Sequence, residues 1–138
     1  ADAVAYAQDK GATRIIDFAT LTGACVTALG TVRSGMIGND QEWMNRIFTM
    51  AERVHEKVWQ FPADREYEKQ LQSDIADLKN VITAGLFIRQ FIQEGTPWIH
   101  FDIAGTAFLE KKDDLGYMGA TGTGIKTVLE WLKGGQSS

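Results

Sequence analysis

The chain has 138 residues, 44% hydrophobic and 23% charged, the composition of an ordinary globular domain and not of a disordered segment. No apolar run approaches the ~20 residues that cross a bilayer, which excludes a membrane-spanning helix. Its 14 basic and 18 acidic residues leave a net charge of −4, without the basic excess of a dedicated nucleic-acid binder. The one cysteine, Cys25, rules out an intramolecular disulfide and a cysteine-rich zinc site. Within Ala24-Cys25-Val26 it reads as a small buried hydrophobe rather than a nucleophile. The N-terminus has no basic segment followed by a long apolar core, and a cytoplasmic protein is expected.

The predicted elements follow an α/β order. Ala1 to Lys10 is alanine-rich and helical, with Gly11 at the C-terminal end. No capping segment precedes this helix, so its start is expected upstream. Thr13 to Ala19 reads as a buried strand, Thr20–Ala24 as a strand-to-loop junction, and Ala24–Leu29 as a helix closed by Gly30. Gly35–Gly38 suggests a short strand between turns. Asp40 is placed to cap a helix running to about Lys57, with Trp43, Ile47, Met50, Ala51, Val54 and Val58 on one face. Val58–Pro62 reads as an edge strand or extended link, Asp64–Leu71 as a charged helix, and Ser73–Asn80 as a strand or irregular link. Thr83–Glu94 returns to helix, with Leu86, Phe87, Phe91 and Ile92 expected inward. Trp98–Ile103 is a second strand and Gly105–Gly122 mostly loop. A last helix spans about Thr123–Lys133, with Ile125, Val128, Leu129 and Leu132 on one side.

Three stretches are candidates for chemistry. Thr20-Leu21-Thr22-Gly23-Ala24 lies where a strand gives way to a helix, a position that favours ligands in α/β sheets. Taken as pattern alone, it reads more simply as a structural turn. Phe101–Ala107 exits the second strand in the same way. There Asp102 is a candidate general base or metal ligand, although a strand-end carboxylate more often caps or pairs. Gly116–Gly124 is glycine-rich but matches neither GxGxxG after a strand nor a Walker A, and Thr123 as helix N-cap is the simpler account. His55 reads as solvated and His100 as structural. Asp74/Asp77 and Asp113/Asp114 read as surface charge. These residues alone form no complete catalytic constellation.

Ile16-Asp17-Phe18-Ala19-Thr20-Leu21-Thr22-Gly23-Ala24-Cys25-Val26-Thr27-Ala28-Leu29-Gly30 closely resembles the leucyl aminopeptidase (cytosol aminopeptidase, M17) family. So do Trp98–Ala107, Gly119–Gly124 and Ser73–Asn80, in the right order, and the resemblance covers nearly the whole chain. It implies a three-layer α/β/α portion of a zinc-peptidase-like catalytic domain with a mixed sheet. Residues 1–133 would be the C-terminal part of that domain and 134–138 a disordered tail. The implied activity is hydrolysis of N-terminal residues from peptides by a cytoplasmic homo-hexamer using two divalent metals, manganese or zinc. The family's metal ligands, and the signature Asn-Thr-Asp-Ala-Glu-Gly-Arg with its catalytic arginine, would lie upstream of Ala1. No catalytic or metal-binding residue is therefore assigned here, no metal is expected on this chain alone, and the isolated chain is expected to be inactive.

What the resemblance carries over is a substrate wall. Thr20 and Leu21 match residues whose main chain contacts the peptide, and the Leu21 amide matches one that helps hold a bicarbonate-like general base. Gly23 matches a backbone contact to substrate. Ala104 and Ala107 match the pocket for the N-terminal side chain. One departure stands out: the family has a glycine-rich loop between the positions of Asn80 and Val81, and here the flanks abut. The rival readings are a non-catalytic oligomerisation module and a nucleotide-binding domain using Gly116–Gly124.

Overall fold

The computed structural model describes residues 2–71, 80–114 and 116–134. Helix α1 (Asp2–Asp9) ends at Gly11, whose φ of 88° is open to glycine and strained for other residues. Next come β1 (Ile15–Ala19), α2 (Gly23–Leu29), β2 (Ser34–Gly38), α3 (Gln41–Arg53), β3 (Val58–Gln60) and α4 (Arg65–Leu71). From residue 80 onward come α5 (Val81–Arg89), β4 (Trp98–Asp102), the two-residue strands β5 (Phe108–Leu109) and β6 (Gly119–Ala120), and α6 (Ile125–Gly134). Apart from Asn80, the link expected at Ser73–Asn80 lies outside the described residues, as do Asp74, Asp77 and the tail beyond Gly134.

The main sheet has the order β1-β4-β2-β3. β1 pairs parallel with β4 and β2 parallel with β3, while β2 runs antiparallel to β4, which makes the sheet mixed as expected. Alternation assigns the two faces. Met36, Ile99 and Phe101 meet Trp43, Met44, Ile47 and Ala51 of α3 on one side. Ile15, Ile37 and Trp98 meet Val4 of α1 and Ile88 of α5 on the other. Cys25 of α2 joins that second side beneath Val81, Ile82 and Leu86. The result is the α/β/α sandwich. Burying a side chain such as Ile47, Ile99 or Leu86 contributes about 1.5–3 kcal/mol each.

Two glycines allow the layers to come this close. A Cβ on Gly85 would stand 2.6 Å from Cδ1 of Ile37, and one on Gly38 would stand 2.6 Å from the Trp98 carbonyl oxygen. Every residue of α5 from Val81 to Leu86 is buried, because the helix lies between the sheet, α2 and α4.

Several boundaries and faces differ from expectation. Asp40 does cap α3, accepting from the Trp43 amide at 3.0 Å, but the helix stops at Arg53 because His55 turns left-handed (φ 61°). Asn80 caps α5 directly, accepting from the Ile82 amide at 2.9 Å, so that helix starts at Val81 rather than Thr83 and ends at Arg89. Phe87 and Phe91 point outward and pair edge-on at 5.3 Å, while Ile88 packs on the sheet with Ile37 and Trp98, and Leu86 on Cys25 of α2. The stretch expected as loop contains the β5–β6 hairpin.

The last helix departs most. Its apolar residues Ile125, Leu129 and Leu132 are exposed, and Trp131 instead meets Trp43 at 5.6 Å. Thr123 does not cap it. The Glu56 carboxylate does, accepting from the Thr127 amide at 2.9 Å, the Thr127 hydroxyl at 2.6 Å and the Lys126 amide at 3.4 Å.

Candidate functional site

Because β1 and β4 are parallel and in register, Ala19 against Asp102, their chains leave the sheet side by side. Thr20–Gly23 departs from one and Ile103–Ala107 from the other, at the carboxyl ends where α/β sheets bind ligands. Thr20 and Gly23 are exposed, and Leu21, Ala104 and Ala107 are half-buried. The fold thus brings the five expected positions to one end of the sheet.

Asp102 joins the two segments. Buried to 2% exposure, it accepts hydrogen bonds through Oδ1 from the amides of Leu21 (3.1 Å), Thr22 (3.4 Å) and Ala104 (3.1 Å). Its Oδ2 accepts from the Thr22 hydroxyl at 2.7 Å. Thr22 in turn accepts from the Cys25 amide at 3.0 Å and so caps α2. Asp102 therefore acts as the pairing and capping carboxylate that a strand-end position favours. The Leu21 amide, matched by resemblance to a general-base contact, here donates to Asp102.

The second segment is held at its far side too. The Thr106 and Ser34 hydroxyls share a hydrogen bond of 2.7 Å, and the Thr121 hydroxyl donates to the Thr106 carbonyl at 2.6 Å. A side chain on Gly105 would collide with the Gly30 carbonyl at the end of α2. Beside this turn lies a cleft of about 560 Å³, lined by Ala104, Gly105, Val26, Phe108 and Leu109 together with Thr31, Glu110 and Lys111.

Deeper on the same sheet face, His100 is buried and its Nδ1 lies 2.6 Å from Oδ1 of Asp17, whose Oδ2 accepts from Trp98 Nε1 at 2.6 Å. A carboxylate only accepts, so the His100 Nδ1 is the donor in this bond. This is a structural bond between neighbouring strands, as read for His100, and His55 is exposed as expected. The Cys25 thiol is pushed up to about 11, first by burial and then by the nearby Asp102 charge, with the Gly35 backbone bond opposing. It is an inert core thiol, in line with its reading as a hydrophobe.

The comparisons with known proteins agree with this geometry. Residues 1–129 match the family described as "Cytosol aminopeptidase family, catalytic domain". The chain belongs to the cytosol aminopeptidase family. It is 48% identical over 139 residues to the probable cytosol aminopeptidase of Alkaliphilus oremlandii, and 44% identical over 142 residues to that of Clostridium tetani. Those alignments take in 96% and 97% of this chain but 28% and 29% of the relatives, so it spans less than a third of their length. Among solved structures it is similar to the bottromycin maturation enzyme BotP (TM-score 0.89, 28% identity, all of this chain and 32% of that one). It is also similar to a mutant tomato leucine aminopeptidase (TM-score 0.81, 35% identity, 95% of this chain and 26% of that one).

One of the solved BotP structures is a complex with Mn. The residues described here do not fit a metal centre of their own. Among them no three His, Cys, Asp or Glu side chains converge, and the carboxylates of Asp17 and Asp102 are already held by N–H and O–H donors. The glycine-rich Gly116–Gly124 segment does not form a phosphate loop either. Glu56 occupies the α6 amides where an anion would sit. Neither the Asp102 clamp nor the Glu56 cap is visible from local spacing, since their partners lie some 70–80 residues away. The one usable signal was strand alternation, which sets Asp17, His100 and Asp102 on a single face.

Proposed function

We propose that this chain is the C-terminal part of the catalytic domain of a metal-dependent leucyl aminopeptidase that removes N-terminal residues from peptides. Within that enzyme its task is to build one side of the substrate site. Thr20, Leu21 and Gly23 line the peptide backbone, and Ala104 and Ala107 leave room for the N-terminal side chain. The observation that carries this reading is the emergence of the two family-matched segments side by side from β1 and β4. The two divalent metals, manganese or zinc, and the catalytic arginine belong to the remainder of the enzyme, which acts as a cytoplasmic homo-hexamer. The junction at Asn80–Val81 is where the relatives' glycine-rich entrance loop would insert.

The 138-residue chain alone is therefore inactive and holds no metal tightly. The test is hydrolysis of leucine p-nitroanilide with Mn²⁺, by this chain and by the complete polypeptide carrying it. Activity in the complete polypeptide only is the expected result. Turnover by the short chain, or none by the complete one, refutes the proposal.

An association module is the second reading, and the exposed apolar side of α6 favours it. Concentration-dependent sedimentation of the short chain is its expected signature. A clean monomer at all concentrations counts against it.

A further inference from the structure

We propose that Asp102 is a positioning residue that sets the spacing between the two substrate walls, and through it the choice of N-terminal side chain. The inference rests on the reading of Thr20–Gly23 and Ala104–Ala107 as those walls.

The geometry is specific. One oxygen, Oδ1, accepts from Leu21 on the first wall and from Ala104 on the second, each at 3.1 Å. These two amide nitrogens are thereby held within about 6 Å of each other. The other oxygen holds the Thr22 hydroxyl, which also starts α2. Among the described residues no Lys or Arg pairs with Asp102, and neutral donors alone satisfy it. A carboxylate suits the role because it accepts on every side and donates on none. Bonds to a charged acceptor are short and directional, so they fix position more tightly than neutral ones. Asparagine has the same size but turns one oxygen into an NH₂ group. With that NH₂ on the Thr22 side the hydroxyl can turn and accept it, so both wall bonds survive; removing the carboxylate, as in Asp102→Ala, frees the two amides. Ala104 also lines the cleft beside the turn, so a shift of this wall changes the pocket itself.

The experiment uses the complete enzyme with Asp102→Ala, and with Asp102→Glu as a second variant should the first fail to fold. Alanine, leucine and phenylalanine p-nitroanilides are compared by kcat/KM. The expected result is at least a fivefold change in the leucine-to-alanine ratio, with KM rising more than kcat falls. A loss of folded enzyme scales all three substrates equally and cancels in the ratio. An unchanged ratio, whatever the total activity, overturns the proposal. Amide hydrogen exchange on the 138-residue chain decides the matter independently of turnover. In Asp102→Ala the Leu21 and Ala104 amides should lose at least tenfold of their protection together, while Phe101 in β4 keeps its own. Retained protection at Leu21 and Ala104 overturns the proposal. A wild-type enzyme that cleaves none of the substrates removes the functional reading and leaves the exchange result to judge the clamp.

Discussion

Glu56 belongs to the link between α3 and β3, yet it caps a helix about 70 residues further on. Glu56→Ala removes a cap worth about 1 kcal/mol and a favourable charge at a helix start worth about 0.3–1 kcal/mol. It also leaves the Thr127 hydroxyl without its 2.6 Å acceptor in a part-buried position. The sum is a destabilisation of about 2 kcal/mol. With a urea m-value of about 1.5 kcal/mol per M for a domain of this size, the unfolding midpoint falls by roughly 1.3 M. Glu56→Gln keeps one acceptor oxygen and loses the charge, and its effect should be about half as large. Circular dichroism at 222 nm against urea reads both. Thr127→Val completes a double-mutant cycle, with an expected coupling of about 1 kcal/mol. A midpoint shift below about 0.3 M for Glu56→Ala, or strictly additive single and double variants, refutes the cap.

Gly105→Ala should destabilise by more than about 2 kcal/mol, because the new Cβ meets the Gly30 carbonyl oxygen and not a yielding side chain. An unchanged melting temperature would contradict that close approach. For Cys25, the folded chain keeps the thiol proton up to about 11, whereas the unfolded chain releases it near 9.0. Between those values the unfolded state holds fewer protons, so stability falls as pH rises, by about 2–3 kcal/mol at most. Cys25→Ala should lack this component, and urea midpoints of the two proteins at pH 8.5 and 11 will show whether it does. Trp98→Phe deletes the 2.6 Å bond to Asp17 and should cost about 1.5–3 kcal/mol, checked by thermal unfolding; a loss below about 0.5 kcal/mol would show the bond to be incidental.

The parts of the fold legible in the sequence were those that local chemistry determines. Alternating β-branched and aromatic residues marked Ile15–Ala19 and Trp98–Asp102, and Asp40 announced α3. Periodicity tells which side of a helix is apolar but not whether another element covers it. That is why Ile125, Leu129 and Leu132 could be placed on one side of the last helix without showing that this side is exposed. The same limit applies to α5, where Gly85 lets the backbone approach Ile37 and leaves Phe87 outside. At the site, the small residues and strand exits were readable from the chain. The capping or pairing role of Asp102 was readable too, but not its partners Leu21 and Thr22, which depend on β1 and β4 becoming neighbours in register.

That neighbour relation also orders the events of folding. β4 sits between β1 and β2, which do not pair with each other, so no sheet joins them until the last third of the chain arrives. Its pairing with β1 closes a span of about 80 residues, a long loop by the standards that govern folding rates. During synthesis β1 waits for β4, while β2 has β3 as its earlier partner. The arrival of β4 completes the sheet, and in the same step it delivers Asp102 to the Leu21 and Thr22 amides. The Asp102 clamp and the completed sheet of this segment therefore form together, and a chain stopped before Trp98 would have neither.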